Sequence, residues 1–326
     1  MTTSTMPGGD LAYDRATPAR APALSLRGLT KRYGDRVAVD DLTIDVPAGV
    51  VAGFVGPNGA GKTTTMAMLL GLVTPTRGDG TVLGEPLSDP AAYLGGVGAL
   101  IEGPAFYPAL SGARNLAVLA TAGGHDLTQV PRLLDLVGLG GRADDRVRRY
   151  SFGMKQRLGI AAALLGDPRL LILDEPINGL DPAGVHEMRG LIGRLASGER
   201  TVLVSSHVLA ELEQVCDWLI VIDGGRVIFQ GPAAELLNRT GATLVVAPEH
   251  PGDLERLRGL LATAGHDVEV GETQLHVEIG DADPRSLAAT INRAAGDGGI
   301  VLAELHVART SLEDRYLTMV KEGGDR

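Results

Sequence analysis

The stretch VVAGFVGPNGAGKTT, residues 50–64, decides how the rest of the chain is read. A short apolar run enters it, glycines punctuate it, and a segment of helical character over 61–71 leaves it. Gly56, Gly59 and Gly61 let the backbone curl, with Pro57, Asn58 and Ala60 between them, until its N–H groups face a bound triphosphate. The helix N-terminus adds partial positive charge at the same place. Lys62 reaches for the outer phosphates, the Thr63 hydroxyl is a ligand for Mg²⁺, and Thr64 extends the cradle.

A loop of this kind needs carboxylates opposite it, and LLILDE, residues 170–175, supplies them. An apolar strand ending in Asp174 sets that side chain at the carboxyl edge of a sheet, where open α/β folds bind ligands. Asp174 is expected to hold Mg²⁺ through water, and Glu175 to polarise the attacking water as a general base.

Strand-like and helical stretches alternate outward from these motifs. ALSLRGLTKRYGDRVAVDDLTIDV (23–46) carries two alternating strands; a helical region covers 111–166, broken by glycines and charged turns. TVLVSSH (201–207) reads as a buried strand, 182–197 as an amphipathic helix, and LIVIDGGRVIFQG (219–231) as a hairpin turning at Gly224 and Gly225. The alternation predicts an α/β core with a largely parallel sheet. Near residue 240 the character changes to β-α-β-β-α-β, the order of a small ferredoxin-like domain, followed by a last helix over 311–320 that Ser311 would cap with Asp314 at capping-box spacing. The expected division is a flexible leader over 1–22, a nucleotide-binding domain over 23–238, and a C-terminal α+β accessory domain over 239–326.

The chain has 326 residues, of which 44% are hydrophobic but only 3% aromatic, so its core must be built from Ala, Val, Leu and Ile. A net charge of −10 argues against nonspecific binding of nucleic acid or anionic lipid. The single cysteine, Cys216, excludes an internal disulfide, and its apolar neighbours mark it as a buried structural thiol. The apolar runs at 160–165 and 218–222 are too short to cross a bilayer, and the N-terminus lacks the apolar centre of a secretion signal.

YSFGMKQRLGIAAALLGDPRLLILDEPINGLDP, residues 150–182, narrows the reading. It resembles the signature, Walker B and D-loop segment of ATP-binding-cassette (ABC) ATPases. YSFGMKQ stands where the family has LSGGQ, and NGLDP matches its D-loop. Tyr33 in LTKRYG matches the aromatic that stacks on adenine, and His207 in LVSSH the switch histidine at the γ-phosphate. The resemblance covers residues 23 to about 235. It implies a P-loop ABC fold with a RecA-like core, a helical subdomain and an N-terminal antiparallel β region. It also implies ATP and Mg²⁺ as cofactors, and a second ABC ATPase subunit as partner, with a homodimer the expected form. In that head-to-tail pair, Ser151 and the N–H of Gly153 contact the γ-phosphate held by the other subunit, and Asp181 of the D-loop lies beside it. Phe152 and Met154 depart from the family's glycine and glutamine. Phenylalanine keeps its N–H but resists positive φ, so the anion contacts survive if position 152 is ordinary helix capped by Ser151.

VGALIE, residues 97–102, ends in Glu102 where the family has its Q-loop glutamine. Glutamate keeps the metal-directed oxygen but adds charge and loses the amide donor. By the resemblance, its place in the motif order implies a catalytic and Mg²⁺-contacting role for Glu102. With GPAFYPALSGARNL after it, the segment looks like the bacitracin and lantibiotic immunity branch of bacterial exporters; daunorubicin-resistance-type ATPases share the layout. The resemblance therefore implies an ATPase that powers export of an antibiotic or peptide through a separate polytopic membrane permease, working peripherally at the cytoplasmic face of the plasma membrane. Pro104, Phe106, Tyr107 and Pro108 form a semi-rigid loop suited either to docking on that partner or to packing. An ABC ATPase of DNA repair or translation is the alternative, opposed by the single phosphate loop and the lack of heptads or a zinc-binding cysteine set. A small GTPase is opposed by the lack of a guanine-reading NKxD stretch.

Overall fold

The computed structural model describes residues 21–308 apart from 104, 197–199, 213, 239–242, 272 and 281; the leader, Pro104 and the helix expected at 311–320 lie wholly or mostly outside the described residues. In chain order the first part contains β1 (Leu24–Tyr33), β2 (Arg36–Val46), β3 (Val51–Val55), α1 (Lys62–Leu69), β4 (Arg77–Val82), β5 (Glu85–Pro86), α2 (Pro90–Tyr93) and β6 (Val97–Leu100). The helices α3 (Gly112–Ala122), α4 (Gln129–Leu136) and α5 (Phe152–Ala163) follow. Then come β7 (Leu170–Leu173), α6 (Pro182–Leu195), β8 (Thr201–Ser206), α7 (Leu209–Leu212), β9 (Trp218–Asp223), β10 (Arg226–Pro232) and α8 (Ala233–Asn238).

The central sheet has the order β10-β9-β3-β8-β7-β6, parallel except for β10, which returns from β9 through the expected hairpin. Its strands are short apolar runs because both faces are covered. β7 shows this residue by residue. Leu171 and Leu173 enter a core shared with α3 to α6, while Leu170 and Ile172 enter another shared with α1, β1 and β2. The second of these cores is roofed by an antiparallel sheet of order β2-β1-β4-β5. RGDGTV, the sequence of β4, has glycines and charges where a strand pattern needs apolar residues; its backbone ladder to β1, from Leu24↔Val82 to Arg27↔Asp79, is what holds it.

The remaining described residues form β11 (Thr243–Pro248), α9 (Leu254–Thr263), β12 (Val268–Val270), β13 (Leu275–Glu278), α10 (Pro284–Asp297) and β14 (Leu302–Ala308). Their sheet is antiparallel with order β12-β13-β11-β14, which is the ferredoxin-like arrangement. It has its own core, in which Leu257 and Leu261 of α9 meet Ile291 of α10 over Leu244, Val246 and Val277.

Cys216 is buried beneath β3 and β9, as its apolar neighbours indicated. Burial first, and the adjacent Asp217 carboxylate second, push its thiol up to about 12. Thiol alkylation at about pH 8 should therefore require prior unfolding, since only the thiolate reacts; rapid labelling of the native chain would contradict this environment. The unfolded thiol ionises at lower pH than the folded one, so this group's contribution to stability declines as pH rises through the ordinary thiol range toward about 12.

Candidate functional site, a phosphate loop and a separate signature cradle

The parallel order β3-β8-β7 brings three carboxyl ends to one edge. Val55 is level with Ser206, and Leu173 with Val204, so the loop after β3 faces Asp174, Glu175 and His207. Gly61 caps α1 with φ 102°, and a Cβ there would stand 2.5 Å from the carbonyl oxygen of Ala38, so no other residue fits that turn. No side chain caps α1, which leaves its first N–H groups free for an anion.

Lys62 is 5% exposed. Its Nζ donates to the carbonyls of Gly56 at 2.7 Å and Pro57 at 3.2 Å, and pairs with Glu175 Oε1 at 3.2 Å. The other oxygen of Glu175 lies 2.8 Å from His207 Nδ1. The Thr63 hydroxyl donates to Asp174 Oδ2 at 2.9 Å. A cavity of about 200 Å³ opens over these groups. Asn58, Gly59, Gly61, Thr63, Thr64 and Asn178 line it, together with Lys62, Glu175 and, from β2, Arg36 and Ala38. Pro57 contributes its carbonyl to Lys62; Ala60 is buried and accepts from the N–H of Gly225.

Ser205 is a residue that the motifs did not reveal, as are Arg36, Ala38 and Asn178 of the cavity lining. Buried at the end of β8, Ser205 donates to Asp174 Oδ1 at 2.5 Å and accepts from the N–H of Glu175 at 2.8 Å. It thereby holds both carboxylate-bearing residues, and supports Glu175 in a left-handed conformation with φ 48°. A polar pair closing an otherwise apolar strand, SS in TVLVSSH, was the available signal.

The signature lies elsewhere. Ser151 caps α5, its hydroxyl accepting from the N–H of Met154 at 3.2 Å, and Phe152 begins the helix without positive φ, which satisfies the condition set by the Phe152 departure. Asp181 caps α6 by accepting from the N–H of Gly184 at 2.8 Å. Ser151, Phe152, Gly153, Leu180 and Asp181 border a cavity of about 630 Å³ that shares no lining residue with the phosphate-loop cavity.

Two expected contributors stand apart. Glu102 lies two residues beyond Leu100, which pairs with Leu173 where β6 and β7 end. Its side chain is exposed, and among the described residues its carboxylate has no hydrogen-bond or ion-pair partner. Its φ of 57° is a further left-handed conformation that a glutamate adopts only under local constraint. Tyr33 is half-exposed at the end of β1, with Lys31 Nζ 5.0 Å from its ring centroid, and does not line the phosphate-loop cavity.

Fold and site together define a P-loop α/β ATPase with a helical subdomain. Residues 39–178 match the ABC transporter family. The chain is similar over nearly its whole length to the bacitracin transport ATP-binding protein BcrA of Bacillus licheniformis, with 37% identity over 311 residues, 90% of this chain and 96% of that protein. It is 39% identical over 303 residues to Nod factor export ATP-binding protein I of Cupriavidus metallidurans, covering 91% and 96% of the two chains. Against the lantibiotic transport ATP-binding protein SrtF of Streptococcus pyogenes the identity is 41% over 207 residues, 64% of this chain and 90% of that protein. A solved ATP-binding subunit of an ABC transporter superposes with TM-score 0.59 at 31% identity, over 67% of this chain and 93% of that one. The chain belongs to the ATP-binding subunits of ABC transporters, and it binds ATP.

Replacing Ser205 with alanine should leave the part-buried N–H of Glu175 and one oxygen of Asp174 without this partner, a loss of about 1–3 kcal/mol in denaturant unfolding. A variant as stable as the wild type would show that water or a backbone shift satisfies these groups.

Proposed function

We propose that the chain is the motor of an exporter of an antibiotic or peptide, working as a head-to-tail pair at the cytoplasmic face of a membrane through a separate polytopic permease. The observation that carries the pairing is the separation of the two cradles. An ATP held by Lys62 needs a second anion site to close over it, and the Ser151 cradle of the same chain shares no residue with that pocket. A second subunit turned end for end supplies it. The need for a separate permease rests on the relatives, whose names place them in transport and export. It also fits that no helix among the described residues is long and apolar enough to cross a membrane.

Within the pair, the triphosphate would take over the charge that Glu175 now gives Lys62. Glu175, released from Lys62 but still bonded to His207, accepts a proton from the attacking water. Tyr33 would stack on the base outside the phosphate-loop cavity, whose β2 side Arg36 and Ala38 line, while Ser151 and the N–H of Gly153 of the other subunit would close on the γ-phosphate. Thr63 and Asp174, a hydroxyl and a carboxylate already 2.9 Å apart, form the hard-oxygen set that suits Mg²⁺ and would hold it. When bound, that ion would neutralise phosphate charge. Glu102 would reach this group by reorienting from its exposed position at the same sheet edge. The domain limits proposed are 23–238 for the motor and 239–326 for an accessory domain that packs against it or regulates it.

Glu175→Gln should lower ATP turnover by about 100- to 10,000-fold, the usual worth of a general base, while retaining ATP. Purified from membranes in that trapped form, the chain should bring down a polytopic membrane protein. Recovery with ribosomes or DNA-processing factors instead would overturn the export reading while leaving the ATPase intact.

A further inference from the structure

Another cleft lies at the opposite edge of the central sheet, where β7 and β8 begin rather than where they end. Its volume is about 660 Å³. One wall is α4, through Gln129, Arg132, Leu133 and Leu136, and the other is the end of α6, through Arg194 and Leu195. Leu164, the turn 167–169 and Arg200, just before β8, close the space between them. Leu133, Leu164 and Leu195 are buried members of the core shared by the helices, so the floor is apolar.

The walls are fixed by polar bonds that the fold makes on its own. Gln129 Oε1 accepts from the N–H of Gly166 at 3.2 Å, which ties α4 to the turn before β7. The Arg200 side chain is 18% exposed; it donates to the carbonyls of Pro168 at 2.9 Å and Leu195 at 3.2 Å, and pairs with Asp167. Arg200 and Asp167 thus answer each other's charge as a strut across the cleft. Asp167 is the one carboxylate in the described lining, against four arginines. The guanidiniums of Arg132, on α4, and Arg169, in the turn, have no hydrogen-bond or ion-pair partner among the described residues.

Exposed arginines on a convex surface are ordinarily just solvated. Here two that lack a counter-charge converge on a concavity with rigid walls and an apolar floor, in a chain whose net charge is −10. A cleft lined by one sign of charge focuses its potential, and a guanidinium fork matches the oxygens of an oxyanion. Its size is that of a small-molecule site, in which apolar surface supplies area and a few polar groups fix orientation. We propose that this cleft is an anion-binding site separate from the phosphate loop, taking a small phosphate ester whose apolar group lies on Leu133, Leu164 and Leu195 while Arg132 and Arg169 hold its phosphate. It shares no lining residue with the phosphate-loop cavity, so the two can be filled together. Nothing in it depends on the head-to-tail pair.

Calorimetric titration of the full chain with phenyl phosphate tests the site. In Lys62→Ala, which lacks the ammonium of the phosphate loop, one equivalent should still bind. Inorganic phosphate, without the apolar group, should bind there roughly 10-fold or more weakly. Arg132→Gln and Arg169→Gln should each weaken phenyl phosphate roughly 5- to 30-fold at an unchanged melting temperature, and together should abolish its binding. The same two substitutions in the wild-type chain should remove one of its sites for phenyl phosphate, an outcome independent of how the Lys62 variant folds. Affinity retained in the double variant would overturn the proposal, as would equal affinities for phenyl phosphate and inorganic phosphate. So would a Lys62→Ala chain that takes up no phenyl phosphate at millimolar concentration. The ATPase reading stands or falls separately, on Glu175.

Discussion

The structure turns on the charge of Lys62. An ammonium that is 5% exposed costs several kcal/mol in lost hydration unless its surroundings return it. Two carbonyls of the glycine-rich loop and the carboxylate of Glu175 do so, at 2.7, 3.2 and 3.2 Å. The carboxylate comes from a strand two places away in the sheet, and reaches Lys62 only because β3, β8 and β7 run parallel with their carboxyl ends level. The same arrangement delivers Ser205 and His207 to hold Glu175. Its left-handed backbone is costly for a non-glycine residue, by about 1–3 kcal/mol, and those bonds offset the strain.

A cation balanced by a carboxylate is a site ready to exchange partners. A triphosphate brings more negative charge than Glu175 and meets, besides Lys62, the uncapped N-terminus of α1. The exchange would free Glu175 for work on water while His207 keeps it oriented. Binding and chemistry are then successive uses of one carboxylate. The signature cavity shares no lining residue with the phosphate-loop cavity, and on the proposed reading a single chain would carry two incomplete halves.

The phosphate loop was readable because all of its functional atoms lie in one contiguous segment whose spacing is set by backbone geometry. Asp174, Glu175 and Ser151 were readable because each sits at a strand end or helix start that the hydrophobic pattern marks. The ferredoxin-like order of the last part followed from its alternation of strand and helix periods, although nothing in that pattern specified that β11 and β13 would be central. β4 was not readable, since backbone pairing with β1 rather than side-chain burial holds it in place. Ser205 was missed because its role depends on two atoms from β7, and no local pattern records what a neighbouring strand will present. Glu102 shows the same limit from the other side. Its position at the sheet edge could be deduced, but the direction of its side chain depends on a left-handed turn into Gly103.

Sedimentation of the Glu175→Gln chain with ATP and then with ADP asks whether two half-sites close over nucleotide. The chain should be a dimer with ATP and a monomer with ADP, and Lys62→Ala should be monomeric in both. A chain that stays monomeric at saturating ATP while the wild type hydrolyses it would mean that one subunit completes its own site, and the head-to-tail pair would fall.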